Sequence, residues 1–132
     1  MTDFKALLRI LSDASVEFIV IGGVAAAVHG SARATFDLDV VYRRTPEKIN
    51  RGLNFTLTTD VGALDLLGEI TGGGSYEALA PSTEVIRAFG IECRLLDLNR
   101  LIEVKRAVGR PKDFETVAEL EIIREQRRRS ST

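Results

Sequence analysis

Apolar residues recur at helical spacing in residues 4–12, where Phe4, Leu7, Leu8 and Leu11 mark one face of a short amphipathic helix. The pattern then changes. Val16 to Ile21 (VEFIVI) is a compact β-branched and aromatic run that reads as a buried strand, ended by Gly22-Gly23. Alanine-rich Val24 to Val28 favours helix, with Gly30 as its stop and Ser31 to Thr35 as a polar turn. Phe36 to Tyr42 (FDLDVVY) predicts a second strand. Asn54 to Thr59 alternates as a third, and Ala63 to Ile70 is its expected hairpin partner across Asp60-Val61-Gly62. Gly72-Gly73-Gly74-Ser75 reads as a flexible loop, and Ser82 to Phe89 and Ile91 to Leu96 as two strands around Gly90. Leu98, Leu101, Ile102 and Lys105 share a face of a helix from Asp97 to Val108. Phe114, Val117, Leu120 and either Ile122 or Ile123 point inward from a last helix, Pro111 to Arg129. Residues 1–129 are expected to form a single domain, and residues 130–132 a frayed tail. The class is α/β, or α+β in the strict scheme, with a central mixed sheet flanked by helices.

Between Tyr42 and Asn54 the pattern fails to complete an element. Thr45-Pro46-Glu47-Lys48 begins a helix, with a cap, Pro and Glu in its first turn. Gly52 arrives before two turns are complete, and Ile49 and Leu53 alone cannot dock such a helix. A crossover normally needs a dozen or more residues with a helix. A segment between about Lys48 and Gly52 is therefore expected to be missing, either as a natural deletion or as a loop absent from the chain as given; the absent loop is the expectation.

Composition narrows the function classes. Eighteen Lys and Arg against nineteen Asp and Glu leave a net charge of -1, which argues against a generally basic nucleic-acid coat but not against a local basic patch. The one cysteine, Cys93, excludes an intramolecular disulfide and a multi-cysteine metal site, and its place in a strand makes it a core residue. The longest apolar stretch, Phe18 to Val28, is too short to span a bilayer, and the N-terminus lacks a signal peptide's order. A soluble cytoplasmic domain is expected, with no membrane partner.

The chemistry lies in Gly22-Gly23 and Asp37-Leu38-Asp39. A strand puts i and i+2 on one face, so Asp37 and Asp39 point together. Paired carboxylates repel, and a divalent cation with its preference for hard oxygen ligands supplies a reason to build them. Asp65 interrupts an otherwise apolar strand, and three acids on neighbouring strands could hold two ions around a phosphoryl centre. Glycines at a strand end that opens a helix let backbone N–H groups approach an anion.

These residues resemble the nucleotidyltransferase fold of the DNA polymerase beta superfamily, and more closely its minimal bacterial members of the abortive-infection and toxin–antitoxin type. The family's Gly-Gly-x-Ala, His-Gly and Arg-x-Thr-x-Asp-Leu-Asp elements match Gly22-Gly23-Val24-Ala25, His29-Gly30 and Arg33-Ala34-Thr35-Phe36-Asp37-Leu38-Asp39. Its later Lys and Arg-x-Lys-Asp elements match Lys105 and Arg110-Pro111-Lys112-Asp113. The resemblance implies transfer of a nucleoside monophosphate from an NTP, ATP among them, to a hydroxyl on tRNA or a partner protein, with release of pyrophosphate. It implies two Mg²⁺ ions, or Mn²⁺ in their place, on Asp37, Asp39 and Asp65, with Asp65 also the candidate general base. Gly22, Gly23, Arg33, Lys105 and Lys112 would bind the nucleotide. Two alternatives stand beside it: a small-molecule (antibiotic) nucleotidyltransferase, and a non-catalytic module that neutralises a toxin. Plainer roles also exist for single residues: a packing or capping His29, an Arg33 paired with a nearby acid, and solvated Arg127, Arg128 and Arg129. Nothing in the sequence fixes the oligomer.

Overall fold

The computed structural model describes residues 2–33, 35–44 and 54–130. Asp3 accepts the Ala6 N–H at 3.0 Å and so opens α1 (Phe4–Asp13), which buries Leu7, Leu8 and Leu11. β1 (Phe18–Ile21) runs directly into α2 (Gly22–His29). Then come β2 (Asp37–Tyr42), β3 (Asn54–Thr59), β4 (Gly62–Leu67), β5 (Glu69–Ile70) and β6 (Gly74–Ser75). A short helix α3 (Tyr76–Leu79) and a 3-10 turn (Ala80–Ser82) lead to β7 (Thr83–Ala88) and β8 (Ile91–Leu96). Asp97 caps α4 (Leu98–Val108) through the Arg100 N–H, and α5 (Pro111–Ser130) closes the chain.

Six strands form one mixed sheet in the order β3-β4-β2-β1-β8-β7. β2 pairs antiparallel with β1 and parallel with β4, β8 runs parallel to β1, and the two outer pairs are antiparallel. All of β1 is buried, as its unbroken apolar run foretells for a strand covered on both faces. Leu38 and Val40 of β2 and Leu64 of β4 share one face and form the centre of the core. Asp37, Asp39 and Asp65 lie on the other face. α4 packs on α5, and α2 touches both, beside the end of the sheet where β1 stops and β2 begins. Among the described residues no helix is long and apolar enough to cross a membrane.

Several expectations shift. The helix expected from Val24 to Val28 is longer at both ends, and Gly22 and Gly23, expected to open it, are its first residues. The strand expected from Ala63 to Ile70 breaks at Gly68, and its second part, β5, pairs with β6. The glycine segment before α3 is thereby part of a ladder, and a Cβ on Gly73 would press on Ile70 and Leu79 at 2.9 Å. On α5 the inward stripe is Asp113, Val117 and Leu120, while Phe114 is 60% exposed. The phase is set by the buried ion pairs of Asp113, which take the place Phe114 was expected to fill. Ile123, not Ile122, packs against the core. The helix continues one residue beyond Arg129, through Ser130. The helix start at Thr45, the connection from Lys48 to Gly52, and Ala34 lie outside the described residues.

Candidate active site

Asp39 sits where three elements meet. It pairs across β1 with Ile21, the residue before α2, and lies beside Asp65 in the parallel register of β2 and β4. Asp37 is two residues back on the same face and is exposed. The Asp39 carboxyl is pushed up to about 7, first by burial, then by a hydrogen bond with Asp65 and by the charges of Asp65 and Asp37; Lys105 opposes the shift. Asp39 therefore holds its proton more tightly than an exposed Asp, and Lys105 offsets only part of the effect.

Gly22 makes room for that carboxylate. Its φ is +68°, a left-handed conformation, and a Cβ there would lie 2.5 Å from Oδ2 of Asp39. Gly23 does the same for Thr35, whose Oγ1 would be 2.6 Å from an added Cβ. Thr35 Oγ1 donates to the carbonyl of Asp37 at 3.3 Å, which ties the approach of β2 to the start of α2.

Gly22, Gly23, Asp37 and Asp39 line one wall of a cleft of about 520 Å³. Arg33, Lys105, Arg110 and Lys112 also line it. Lys105 is held by Asp113 at 3.8 Å, and Arg110 Nε donates to Asp113 at 2.8 Å. Burial, aided by Arg110, pulls the Lys105 ammonium below its ordinary value, against the attraction of Asp113 and Asp39. Arg33 is ion-paired with Glu115 at 2.9 Å and Glu119 at 3.8 Å. Glu119 further accepts from the Ser31 hydroxyl and the Ala32 N–H, which hold its carboxyl below the usual range. The loop that carries Arg33 is therefore clasped to α5.

Seven of the eight expected site residues face this one cleft. Asp65 is not in the lining and lies beside Asp39 on the neighbouring strand, half-buried on the same face. Among the described residues no three His, Cys, Asp or Glu side chains are placed to hold an ion without further ligands. Asp37, Asp39 and Asp65 nonetheless share one face of adjacent strands, and Asp39 feels the charge of both other acids. The donors still suit Mg²⁺, which commonly takes one or two protein carboxylates and completes its octahedron with phosphate oxygens and water.

Sequence reasoning left Asp113 and Thr35 without roles. Asp113 had a signal: it is an acid on the apolar stripe, four residues before Val117. Thr35 had none beyond its motif position. His29 is buried, with Nε2–H donating to the Leu96 carbonyl at 2.8 Å, so it packs α2 onto the sheet. Arg127 is not simply solvated; it donates to the His29 carbonyl at 3.0 Å. Cys93 is buried and its thiol is raised by that burial.

The fold is similar to that of an antigenic nucleotidyltransferase-like protein from Paracoccidioides brasiliensis. The two superpose with a TM-score of 0.56 over 90% of this chain and 72% of that one, at 13% identity. At that identity the likeness establishes the fold. No protein-family model and no curated protein matches the chain.

Proposed function

We propose that this chain is a divalent-metal-dependent nucleotidyltransferase that moves a nucleoside monophosphate from an NTP to a hydroxyl acceptor. The observation that carries the reading is Asp39: a raised carboxyl beside Asp65, seated against a glycine with no room for a side chain, on the wall of a cleft lined with Lys and Arg. Asp37 and Asp39 would hold the ion, with Asp65 next to them. A bound Mg²⁺ supplies charge neutralisation at the transferring phosphoryl group and acidifies the acceptor hydroxyl. Gly22 and Gly23 leave backbone N–H groups open to the triphosphate at the start of α2. Lys105, Arg110 and Lys112 offset charge on the pyrophosphate leaving group. Asp65, in contact with Asp39, receives the acceptor proton as the new O–P bond forms and the bond to pyrophosphate breaks.

The acceptor classes expected from the sequence are tRNA and a partner protein, with a small hydroxylated molecule as the third. Purified protein incubated with α-labelled NTPs, Mg²⁺ or Mn²⁺, and each acceptor class should transfer label and release pyrophosphate, and Asp39→Asn should not. Transfer that survives Asp39→Asn would overturn the assignment. One observation supports a second reading, a non-catalytic binding module: among the described residues the acids are not placed to hold an ion without further ligands. That reading predicts nucleotide binding without pyrophosphate release.

A further inference from the structure

We infer that a second cleft, at the far end of α5, binds a phosphate group. The inward stripe of α5 is Asp113, Val117 and Leu120, all buried, and the same face continues as Arg124 with Arg127 and Arg128 beside it. Arginines placed for solubility belong on the outer face of a helix. Half-buried Arg124 and exposed Arg127 and Arg128 line a cleft of about 470 Å³ against Leu98 and Asn99, the first turn of α4.

Arg127 is engaged with the carbonyl of His29. Arg124 is half-buried and donates to Asn99 Oδ1 at 3.3 Å, which aims it at α4. Among the described residues neither Arg124 nor Arg128 has a carboxylate partner; Arg87 and Arg94 also lack one and donate to the Gly90 carbonyl and the Thr83 hydroxyl, whereas Arg124 and Arg128 share one cleft. Two acids do border the cleft. Asp97 is occupied in accepting the Arg100 N–H at 2.8 Å, and Glu84 lies on β7 without pairing either arginine. Two guanidinium groups thus share a cleft with one uncommitted carboxylate. A phosphate group suits them, because its oxygens accept from planar guanidinium forks two at a time.

This cleft is not the nucleotide cleft. Arg124 follows Asp113 by eleven residues, about 16 Å along the helix axis. The phosphate could be free, as inorganic phosphate or pyrophosphate, or part of a phosphodiester strand; the chemistry recognised is the same.

The test is a titration of ¹⁵N-labelled protein with sodium pyrophosphate, without divalent cation, followed by NMR. Saturable shifts are expected at the amides of Leu98 and Asn99, separately from any at Gly22 and Gly23, which report on the nucleotide cleft. Arg124→Gln with Arg128→Gln should weaken the Leu98 and Asn99 response by about tenfold while helicity is retained. The double Lys variant, which keeps charge but loses the fork, should fall between. Glu84→Gln should tighten binding by about two- to threefold. A short single-stranded RNA that binds more tightly than pyrophosphate, with steep salt dependence, assigns the phosphate to a strand; pyrophosphate binding alone assigns it to a free ion. Absence of a saturable shift at Leu98 and Asn99 in the unmodified protein, or an undiminished response in the double Gln variant, overturns the proposal.

Discussion

Asp39 lies directly beside Asp65 in the parallel register of β2 and β4, and the two carboxyl groups share a hydrogen bond. Burial raises the Asp39 carboxyl first, and the hydrogen bond and charge of Asp65 raise it further, so Asp39 keeps a proton that an exposed Asp would lose. Asp39→Asn removes the repulsion and keeps the shape. The unliganded variant should unfold at the same denaturant concentration as the parent, or a higher one. Nucleotidyl transfer should fall by roughly two orders of magnitude. Denaturation midpoints and label transfer measured on the same preparation check both.

The same pair sets a pH dependence. The Asp39 carboxyl is at about 7 in the folded chain against 3.8 as its ordinary value. Below about 4 both states carry the proton; between about 4 and 7 only the folded state does, so unfolding releases it. Stability from this group is full at the acid end and is lost as pH rises through 7, on the order of a few kcal/mol. Urea midpoints in EDTA should decline from pH 4.5 to 7.5, and the decline should shrink in Asp39→Asn. Affinity for Mg²⁺ should rise over the same window, because the ion needs the carboxylate form.

Gly22→Ala places a methyl group against Asp39 Oδ2 and forces an L side chain into φ +68°. The cost should be about 1–3 kcal/mol. Because the clash falls on the carboxylate, nucleotide binding should suffer more than stability does. Calorimetric titration with MgATP alongside thermal unfolding separates the two.

Asp113 joins Lys105 and Arg110 under the cleft and is 4% exposed. Asp113→Ala leaves buried Lys105 without its nearest carboxylate and should destabilise by about 3 kcal/mol. It should also lower the Lys105 ammonium further, since Asp113 is the strongest influence holding it up. Chemical denaturation reads the first effect, and the pH dependence of lysine labelling the second.

Much of this was legible along the chain because it rests on local periods. Alternation by two put Asp37 and Asp39 on one face of β2 and Leu38 and Val40 on the other, whatever the neighbours were. The helical stripes of α1 and α4 and the apolar run of β1 likewise needed only nearest-neighbour geometry and the cost of exposing apolar surface. The glycine pair was legible as the opening of α2, but its need for glycine was not, because that depends on how closely Asp39 and Thr35 approach.

The contacts between elements were decided only by the tertiary structure. Asp65 could have faced either way until the parallel register placed it beside Asp39, and a one-residue slip would have turned it to the core. The phase of α5 turned on Asp113 finding Lys105 and Arg110, which drew an acid inward and left Phe114 in solvent. Propensity and period are properties of a few consecutive residues. Register and ion pairing are settled by groups brought together from distant parts of the chain, where burial makes each unpaired charge expensive.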